Sequence, residues 1–417
     1  MKTLFTSILV LLCLFAHGQT KRVLFLGNSF TYINDLPEII NEVANSMGDT
    51  LDYDSNTPGN YTFQEHSKNN ESLSKIMEGN WDFVVLQGSQ LPSFPINQVE
   101  VEVFPYVHYL DSVINVYNIC GETMFYMTWG KKNGDASNCI IWPPVCTYEG
   151  MDDLIQDRYM MMAVSNKAVV SPVGAVWRYI REHYPSIELY VEDEIHPSKA
   201  GSYAAACCFY AAIFRNDPSL IPYDYTLSPE VAGQIKTAVK RVMYDSLLSW
   251  HIGEYDLFSD FSYSQLNGYT FQFTSQSQNE NGQLWDFGAV IDTTANPTFT
   301  FPGSGTYPVQ LTSFNPCDTI ASNQEIYVSG IISGFEGIDM PEKSIIYPNP
   351  AIDKVYLNLK STKGISINIY SLSGSNVIAI DDLASNEIDI GPLKIGLYFL
   401  EIVKGRETIT KKLIIKK

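Results

Sequence analysis

The sequence predicts an α/β domain built on a parallel sheet, followed by two small all-β units. Three observations predict it. Strand-like and helix-like runs alternate from Val23 to about Phe214. After about Asp260 the helical period is lost, and apolar and polar residues alternate between Gly, Asn and Pro. A further strand-rich stretch runs from Ser344 to Lys417. Alternating strands and helices imply a parallel sheet covered on both faces, whereas short period-two runs imply β-sandwiches.

The chain opens MKTLFTSILVLLCLFAHG, with Lys2, an apolar run from Leu4 to Phe15 and the small-x-small site Ala16-His17-Gly18. This reads as a secretory signal peptide over 1–18, too short and wrongly flanked to span a membrane. No later segment reaches the roughly 18 uninterrupted apolar residues of a membrane helix, so no integral membrane segment is expected after cleavage. KRVLFLGN is then the first strand, ending at Gly27 and Asn28. DLPEIINEVANSM is a helix, WDFVVLQ a buried strand, VEVFPYVHYLDSVINVY a helix and ETMFYMTW a strand. DDLIQDRYMMMAVSNKAV and AVWRYIREHY read as helices, SIELYVED as a further strand and HPSKAGSYAAACCFYAAIF as the closing helix. The expected boundaries are 19–258 for the α/β domain, 259–330 for the first β unit, 331–343 for a linker and 344–417 for the last unit.

A length of 417 residues with 45% hydrophobic content supports several packed cores. The net charge of −19 argues against nucleic-acid binding, since a surface of that sign repels phosphates. Of seven cysteines, Cys13 leaves with the signal peptide. Cys139 and Cys146 share a Pro-containing loop and are a candidate disulfide in an oxidising compartment. Cys207 and Cys208 lie in an Ala-rich helical run and read as apolar packing. No Cys/His spacing fits zinc, and neither a metal nor another cofactor is expected.

Two motifs carry chemistry. Leu26-Gly27-Asn28-Ser29-Phe30-Thr31 follows the first strand, and a serine on a sharp strand-to-helix turn stands at the sheet rim with its own N–H free to meet an oxyanion. Read alone, the same residues are ordinary turn and cap chemistry. Asp193-Glu194-Ile195-His196-Pro197-Ser198 precedes the last helix; an Asp three residues before a His can fix its tautomer while the ring accepts a serine proton. Capping by Ser198 or Asp193 is the competing local reading.

LGNSFT, the glycine of NTPGNYTF, VVLQGSQLPSF and DEIHPSKAGSY together resemble, in order and spacing, the four blocks of the SGNH/GDSL hydrolases, over residues 22 to about 215. The resemblance implies a flavodoxin-like three-layer α/β/α sandwich. It also implies Ser29 as nucleophile, His196 as general base, Asp193 as its orienting carboxylate and Gly59 as a backbone oxyanion donor. The third block departs from the family, whose G-x-N-D turn supplies an Asn. Here the turn reads Gln87-Gly88-Ser89-Gln90-Leu91, leaving Gln90 or Gln87 as the substitute amide donor. His66 reads as a surface helix residue or a pocket residue, and Trp129 as a substrate neighbour or a core residue. His108, His183 and His251 lack a serine or carboxylate context.

Trp285-Asp286-Phe287-Gly288 followed by PTFTFPGSGTYPVQLT resembles a PKD-type immunoglobulin-like domain, with Ala289 where that pattern has Asp. IIYPNPAIDKVYLNL, IYSLSG, LKIGLYFLEIVKG and TKKLIIKK resemble the C-terminal sorting domain of the type IX secretion system of Bacteroidetes, which implies that the secretion machinery is a partner. Lys411, Lys412, Lys416 and Lys417 alternatively read as edge-strand protection. The expectation is a secreted or cell-surface serine esterase acting through an acyl-enzyme on small acyl groups, such as acetyl on an acylated glycan. The alternative is a secreted carbohydrate-binding or adhesive protein whose hydrolase-like domain has lost activity. Lipid or peptidoglycan deacylation on the same triad is a third reading.

Overall fold

A computed structural model describes residues 18–329, 346–359, 361–371, 375–405 and 407–416. The signal peptide, apart from Gly18, and the linker over 331–343 fall outside the described residues. The chain divides into two compact units. The first runs through Phe261 and adds Ser275–Trp285 and Gln310–Ser322; the second holds Ser262–Thr274, Asp286–Val309 and the chain from Asn323 on.

The first unit is organised by a five-stranded sheet of β1 (Thr20–Leu26), β2 (Thr50–Asn56), β3 (Phe83–Leu86), β4 (Glu122–Tyr126) and β5 (Val169–Ser171). Its order is β2-β1-β3-β4-β5, with every pairing parallel. Central strands of such a sheet are covered on both faces, so β1 ends in four buried apolar residues, Val23 to Leu26, and β3 is buried throughout. The helices form two packed groups. One contains α2 (Leu36–Ser46), α8 (Val173–His183), α9 (Lys199–Phe214) and α10 (Pro229–Val242); the other contains α3 (Phe63–Lys68), α4 (Asn70–Met77), α6 (Phe104–Tyr117) and α7 (Tyr148–Asn166). The short α1 (Ser29–Tyr32) and α5 (Ile96–Glu102) complete the unit. Every residue of α9 from Ala200 to Phe214 is buried, including the free thiols Cys207 and Cys208, which burial pushes up to about 12. They are packing groups, not nucleophiles.

The strand order reverses direction between β1 and β3. In doubly wound sheets the crevice beyond the carboxyl ends at such a switch point is where ligands bind. Ser29 follows β1 there, and Gln87 follows β3.

Three elements differ from the sequence-based expectation. Thr50–Asn56 is a strand despite its polar TLDYDSN, because it lies at the sheet edge with one neighbouring strand. The long helix ends at Asn166, where Lys167 takes a left-handed conformation, so Val169–Ser171 forms β5. SIELYVED does not join the sheet; Tyr190 bridges back to Pro197, making a tight return loop.

Beyond Asp260, β6 (Phe261–Asn267), β7 (Thr270–Ser275) and β10 (Thr298–Thr300) form one sheet, in the order β10-β7-β6. A second comprises β8 (Gly282–Asp286), β9 (Ile291–Asp292), β11 (Gly305–Phe314) and β12 (Thr319–Val328), in the order β12-β11-β8-β9. Phe273, Phe287, Phe299 and Phe301 pack as an aromatic cluster in the second unit. Cys120 and Cys317, 197 residues apart, are disulfide-bonded within the first unit.

The tail is antiparallel. Strands β13 (Ile346–Tyr347), β14 (Lys354–Leu357), β15 (Ile365–Ser371), β16 (Asn376–Ile380), β17 (Glu387–Asp389), β18 (Gly396–Lys404) and β19 (Glu407–Ile415) form the sheets β13-β14-β17 and β16-β15-β18-β19. Alternate residues Ile365, Ile367, Ile369, Leu400, Ile402, Leu413 and Ile415 build their core. β19 is an edge strand and carries Lys411 and Lys412, as edge protection requires.

Candidate active site

The turn that carries Ser29 is held by a dense set of buried polar contacts. Asn28 is the N-cap of α1: its Oδ1 accepts from the Phe30 N–H at 3.1 Å, and its Nδ2 donates to the Tyr61 carbonyl at 2.8 Å. Gln87, fully buried at the end of β3, braces the turn from the other side. Its Oε1 accepts from the Asn28 N–H at 2.8 Å and from Thr31 Oγ1 at 2.9 Å; its Nε2 donates to Asn28 Oδ1 at 3.0 Å and to the Gly88 carbonyl. This contact explains Gly27. A Cβ there would lie 2.4 Å from Thr31 Oγ1 and 2.7 Å from Gln87 Oε1, closer than any side chain tolerates.

The second loop is shaped for a short reach. Glu194 sits at φ 62°, which folds residues 193–196 tightly enough for Asp193 to turn onto His196. Asp193 Oδ1 accepts from the N–H groups of Ile195 and His196, each at 2.9 Å, while Oδ2 accepts from His196 Nδ1 at 2.5 Å. His196 Nε2 lies 2.8 Å from Ser29 Oγ. Burial would lift the Asp193 carboxyl. The hydrogen bonds from the His196 ring and from the two backbone N–H groups outweigh it and hold the carboxyl below its usual range. With Asp193 ionised, Nδ1 carries the proton and Nε2 is free to accept one from the serine. The local capping reading also has its counterpart, since Ser198 caps α9. Cap and diad share one loop without conflict.

The structure thus brings Ser29, His196 and Asp193 into one hydrogen-bonded row. Among the described residues the N–H of Ser29 has no hydrogen-bond partner, as expected at the start of a helix. Gly59 is exposed, on a loop whose Tyr61 carbonyl holds Asn28. Its place for a Cβ lies 3.7 Å from Tyr32 Oη, on the same rim as the serine. The two glutamines separate. Gln87 has both ends of its amide engaged inside the turn, so its donor is not aimed at a ligand and its part is that of a brace. The side-chain amide of Gln90, half-buried, makes only a long 3.4 Å contact among the described residues, to the Trp129 carbonyl.

Trp129 is a core residue, stacked on Trp177 at 3.7 Å between ring centroids. Its Nε1 donates to the Ile195 carbonyl at 3.0 Å and so pins the histidine loop. Asn34, which the sequence reading passed over, donates to the Pro197 carbonyl at 3.1 Å and to Ser202 Oγ at 2.9 Å. It ties the segment after Ser29 to the segment after His196. No local pattern marks it, because its partners lie more than 160 residues away. His66 is neither a surface nor a pocket residue. It is buried and bonded to the Gly27 carbonyl at 2.9 Å and to Ser72 Oγ at 2.8 Å. Cys139 and Cys146 are bonded and close the loop after β4. Among the described residues no cluster of His, Cys, Asp or Glu could hold a metal ion.

Comparison with known proteins bears on the tail first. Residues 345–416 match the family described as the secretion system C-terminal sorting domain. The tail is a secretion-system sorting domain. The protein that carries it is thereby routed to the cell surface or beyond, and no described helix is long and apolar enough to cross a membrane. A segment of 110 residues is 32% identical to beta-agarase D of Zobellia galactanivorans; it spans 26% of this chain but only 21% of that protein. Among solved structures, a DUF4886 family protein from Bacteroides uniformis is 17% identical, with 55% of this chain and 95% of that one covered and a TM-score of 0.47. A proposed SGNH hydrolase from Slackia heliotrinireducens is 22% identical, covering 46% and 97%, with a TM-score of 0.38. The PKD1 domain of Vibrio anguillarum Epp is 22% identical, covering 18% and 93%, with a TM-score of 0.16. The chemistry of the site is carried by its own geometry.

Proposed function

We propose that this protein is an exported serine esterase working through an acyl-enzyme, with Ser29, His196 and Asp193 as its triad. The observation that carries the reading is the continuous row from Asp193 Oδ2 through the His196 ring to Ser29 Oγ, at 2.5 and 2.8 Å. It stands at the switch point of a parallel sheet. Ser29 Oγ attacks the ester carbonyl carbon and its proton passes to His196 Nε2. The imidazolium so formed is stabilised by the Asp193 carboxylate. The tetrahedral oxyanion is met by the Ser29 N–H, with Gly59 N–H and the Gln90 amide as the further donors. Collapse expels the alcohol, which takes the proton from His196. Water, deprotonated by the same ring, then releases the acid and restores the serine. No cofactor enters any step.

The finer reading is a small acyl group, such as acetyl, borne on a carbohydrate. Export supports a substrate outside the cell, and Tyr32, half-exposed beside the nucleophile, offers a ring face to a sugar. The segment shared with a protein named as an agarase points the same way. The test is hydrolysis of p-nitrophenyl acetate and butyrate by the 19–417 protein beside its Ser29→Ala variant, with acetate release from an acetylated oligosaccharide as the natural-type substrate. Acetate should be preferred and the variant should be silent, a loss of several powers of ten for a triad nucleophile. Equal activity in both proteins would sink the triad. Tight glycan binding by a wild type that cleaves no ester would establish the binding-protein alternative.

A further inference from the structure

The peptide unit between Gly27 and Asn28 is gripped at both ends by side chains from elsewhere in the chain. Its N–H, on Asn28, donates to Gln87 Oε1 at 2.8 Å, and its C=O, on Gly27, lies 2.9 Å from His66 Nε2. A carbonyl can only accept, so Nε2 carries the proton, and Nδ1 accepts from the Ser72 hydroxyl at 2.8 Å. Ser72 Oγ is held in turn by Asn56 Nδ2 at 3.0 Å, which also donates to Asn69 Oδ1 at 3.0 Å. The network is buried: His66 is 1% exposed and Ser72 fully covered. Burial pushes the imidazole below its ordinary value, against the pull of the Gly27 carbonyl, and this keeps the ring neutral. The next peptide is also fixed. Its carbonyl, on Asn28, accepts from the N–H groups of Thr31 and Tyr32 at 2.9 and 3.1 Å, while its N–H, on Ser29, is left without a partner among the described residues.

Two consecutive peptide planes are therefore locked, and the one donor left over is the N–H of Ser29. We infer that His66 is a positioning residue, which, opposite Gln87, clamps the Gly27–Asn28 peptide and thereby aims the Ser29 N–H at the oxyanion. This rests on the esterase reading above. His66 never touches substrate; it acts through the peptide plane. A buried histidine bonded on both nitrogens, 39 residues from its acceptor, fixes that plane more firmly than the backbone alone, because rotating it would break two buried hydrogen bonds at once. Oxyanion donors act only when preorganised, so a small tilt weakens transition-state binding while leaving substrate binding intact.

The test uses the full 19–417 protein and p-nitrophenyl acetate, with phenylboronic acid as a tetrahedral probe whose boron takes the Ser29 oxygen. His66→Phe keeps a ring of similar size and removes both polar contacts. kcat should fall about tenfold to a hundredfold, the scale at which misplacement near 1 Å acts, with KM within about twofold. The affinity for phenylboronic acid should fall by the same factor. His66→Gln places an amide N–H near the position of Nε2 and should recover most of both losses. A merely structural histidine would lower the melting temperature without moving kcat and boronate affinity together, and the two variants would then behave alike. Should His66→Phe fail to fold, Ser72→Ala carries the test. It removes the anchor at Nδ1 and should lower kcat several-fold at constant KM; an unchanged kcat overturns the inference. Retained activity in Ser29→Ala would overturn the esterase reading itself. A silent Ser29→Ala beside a fully active His66→Phe would overturn only the role of His66.

Discussion

Replacing Asp193 by Asn separates the chemistry of the diad from its architecture. In the native loop the two carboxylate oxygens have different tasks: Oδ1 accepts from the N–H groups of Ile195 and His196, and Oδ2 accepts from His196 Nδ1. An Asn can keep the first pair of bonds with its own oxygen, which turns its NH2 toward the imidazole. The flipped amide would lose both backbone bonds, and at about 0.5–1.5 kcal/mol each the unflipped form is favoured by roughly 1–3 kcal/mol. With an NH2 facing it, Nδ1 must become the acceptor and the ring proton moves to Nε2. The nitrogen 2.8 Å from Ser29 Oγ then carries a hydrogen and cannot accept the serine proton. By analogy with the serine-protease triad, kcat should drop by roughly 10⁴. KM and the melting temperature near pH 7 should change little. The assay is steady-state hydrolysis of p-nitrophenyl acetate together with thermal unfolding. An Asp193→Asn enzyme retaining a tenth or more of wild-type kcat would refute the assignment of Asp193 as the orienting carboxylate.

Three further outcomes follow from the same contacts. Gln87→Leu orphans the buried Asn28 N–H and the Thr31 hydroxyl, at about 1–3 kcal/mol for each group left unpaired, so both stability and kcat should fall; denaturant unfolding that matches the wild type would contradict its role as a brace. Cys120→Ser with Cys317→Ser opens a loop of 197 residues and should lower stability by about 2–5 kcal/mol, read as a lower denaturant midpoint. Esterase activity in the absence of denaturant should persist, since Cys120 precedes the amino end of β4 whereas Ser29 follows the carboxyl end of β1 in the same parallel sheet. Finally, the Asp193 carboxyl is held below its ordinary 3.8, so between that depressed value and 3.8 the unfolded chain binds more protons than the folded one. The stability it contributes is present above about pH 4 and is lost as pH falls through the depressed value. The wild type should therefore have only a small melting-temperature advantage over Asp193→Asn near pH 7, because the side chain is 46% exposed, and that small advantage should disappear only under acid. An advantage that grows on acidification would reverse the sign.

Local residues made the proposed triad legible. Ser29 is marked by a buried strand that stops at Gly27, and Asp193 and His196 are close in the chain, so the pairing of acid and base needs one tight loop and no tertiary knowledge. The α/β alternation was equally legible wherever strands are central and apolar, as in VLFL and FVVL. It failed where the periodicity is not set by burial on two faces. TLDYDSN is polar because an edge strand has one neighbour, Val169–Ser171 is too short to show a period, and SIELYVED is apolar because it lies against the domain without joining the sheet. The tail announced itself through IIYPNPAIDKVYLNL, IYSLSG, LKIGLYFLEIVKG and the basic end TKKLIIKK.

The tertiary structure alone decided what each polar side chain does. Gln87 and Gln90 are equivalent on paper as amide donors; only the approach of β3 to β1 turns Gln87 inward and leaves Gln90 outside. His66 reads as a helix-surface histidine until α3 is laid against the end of β1. The Cys120–Cys317 bond was not anticipated at all, because cysteines so far apart carry no local signal. Sequence thus determined the elements and the chemistry available to them, since both depend on neighbours a few residues away. The assignment of donors, braces and cross-links depends on contacts between residues tens to hundreds of positions apart, and those exist only once the chain has folded.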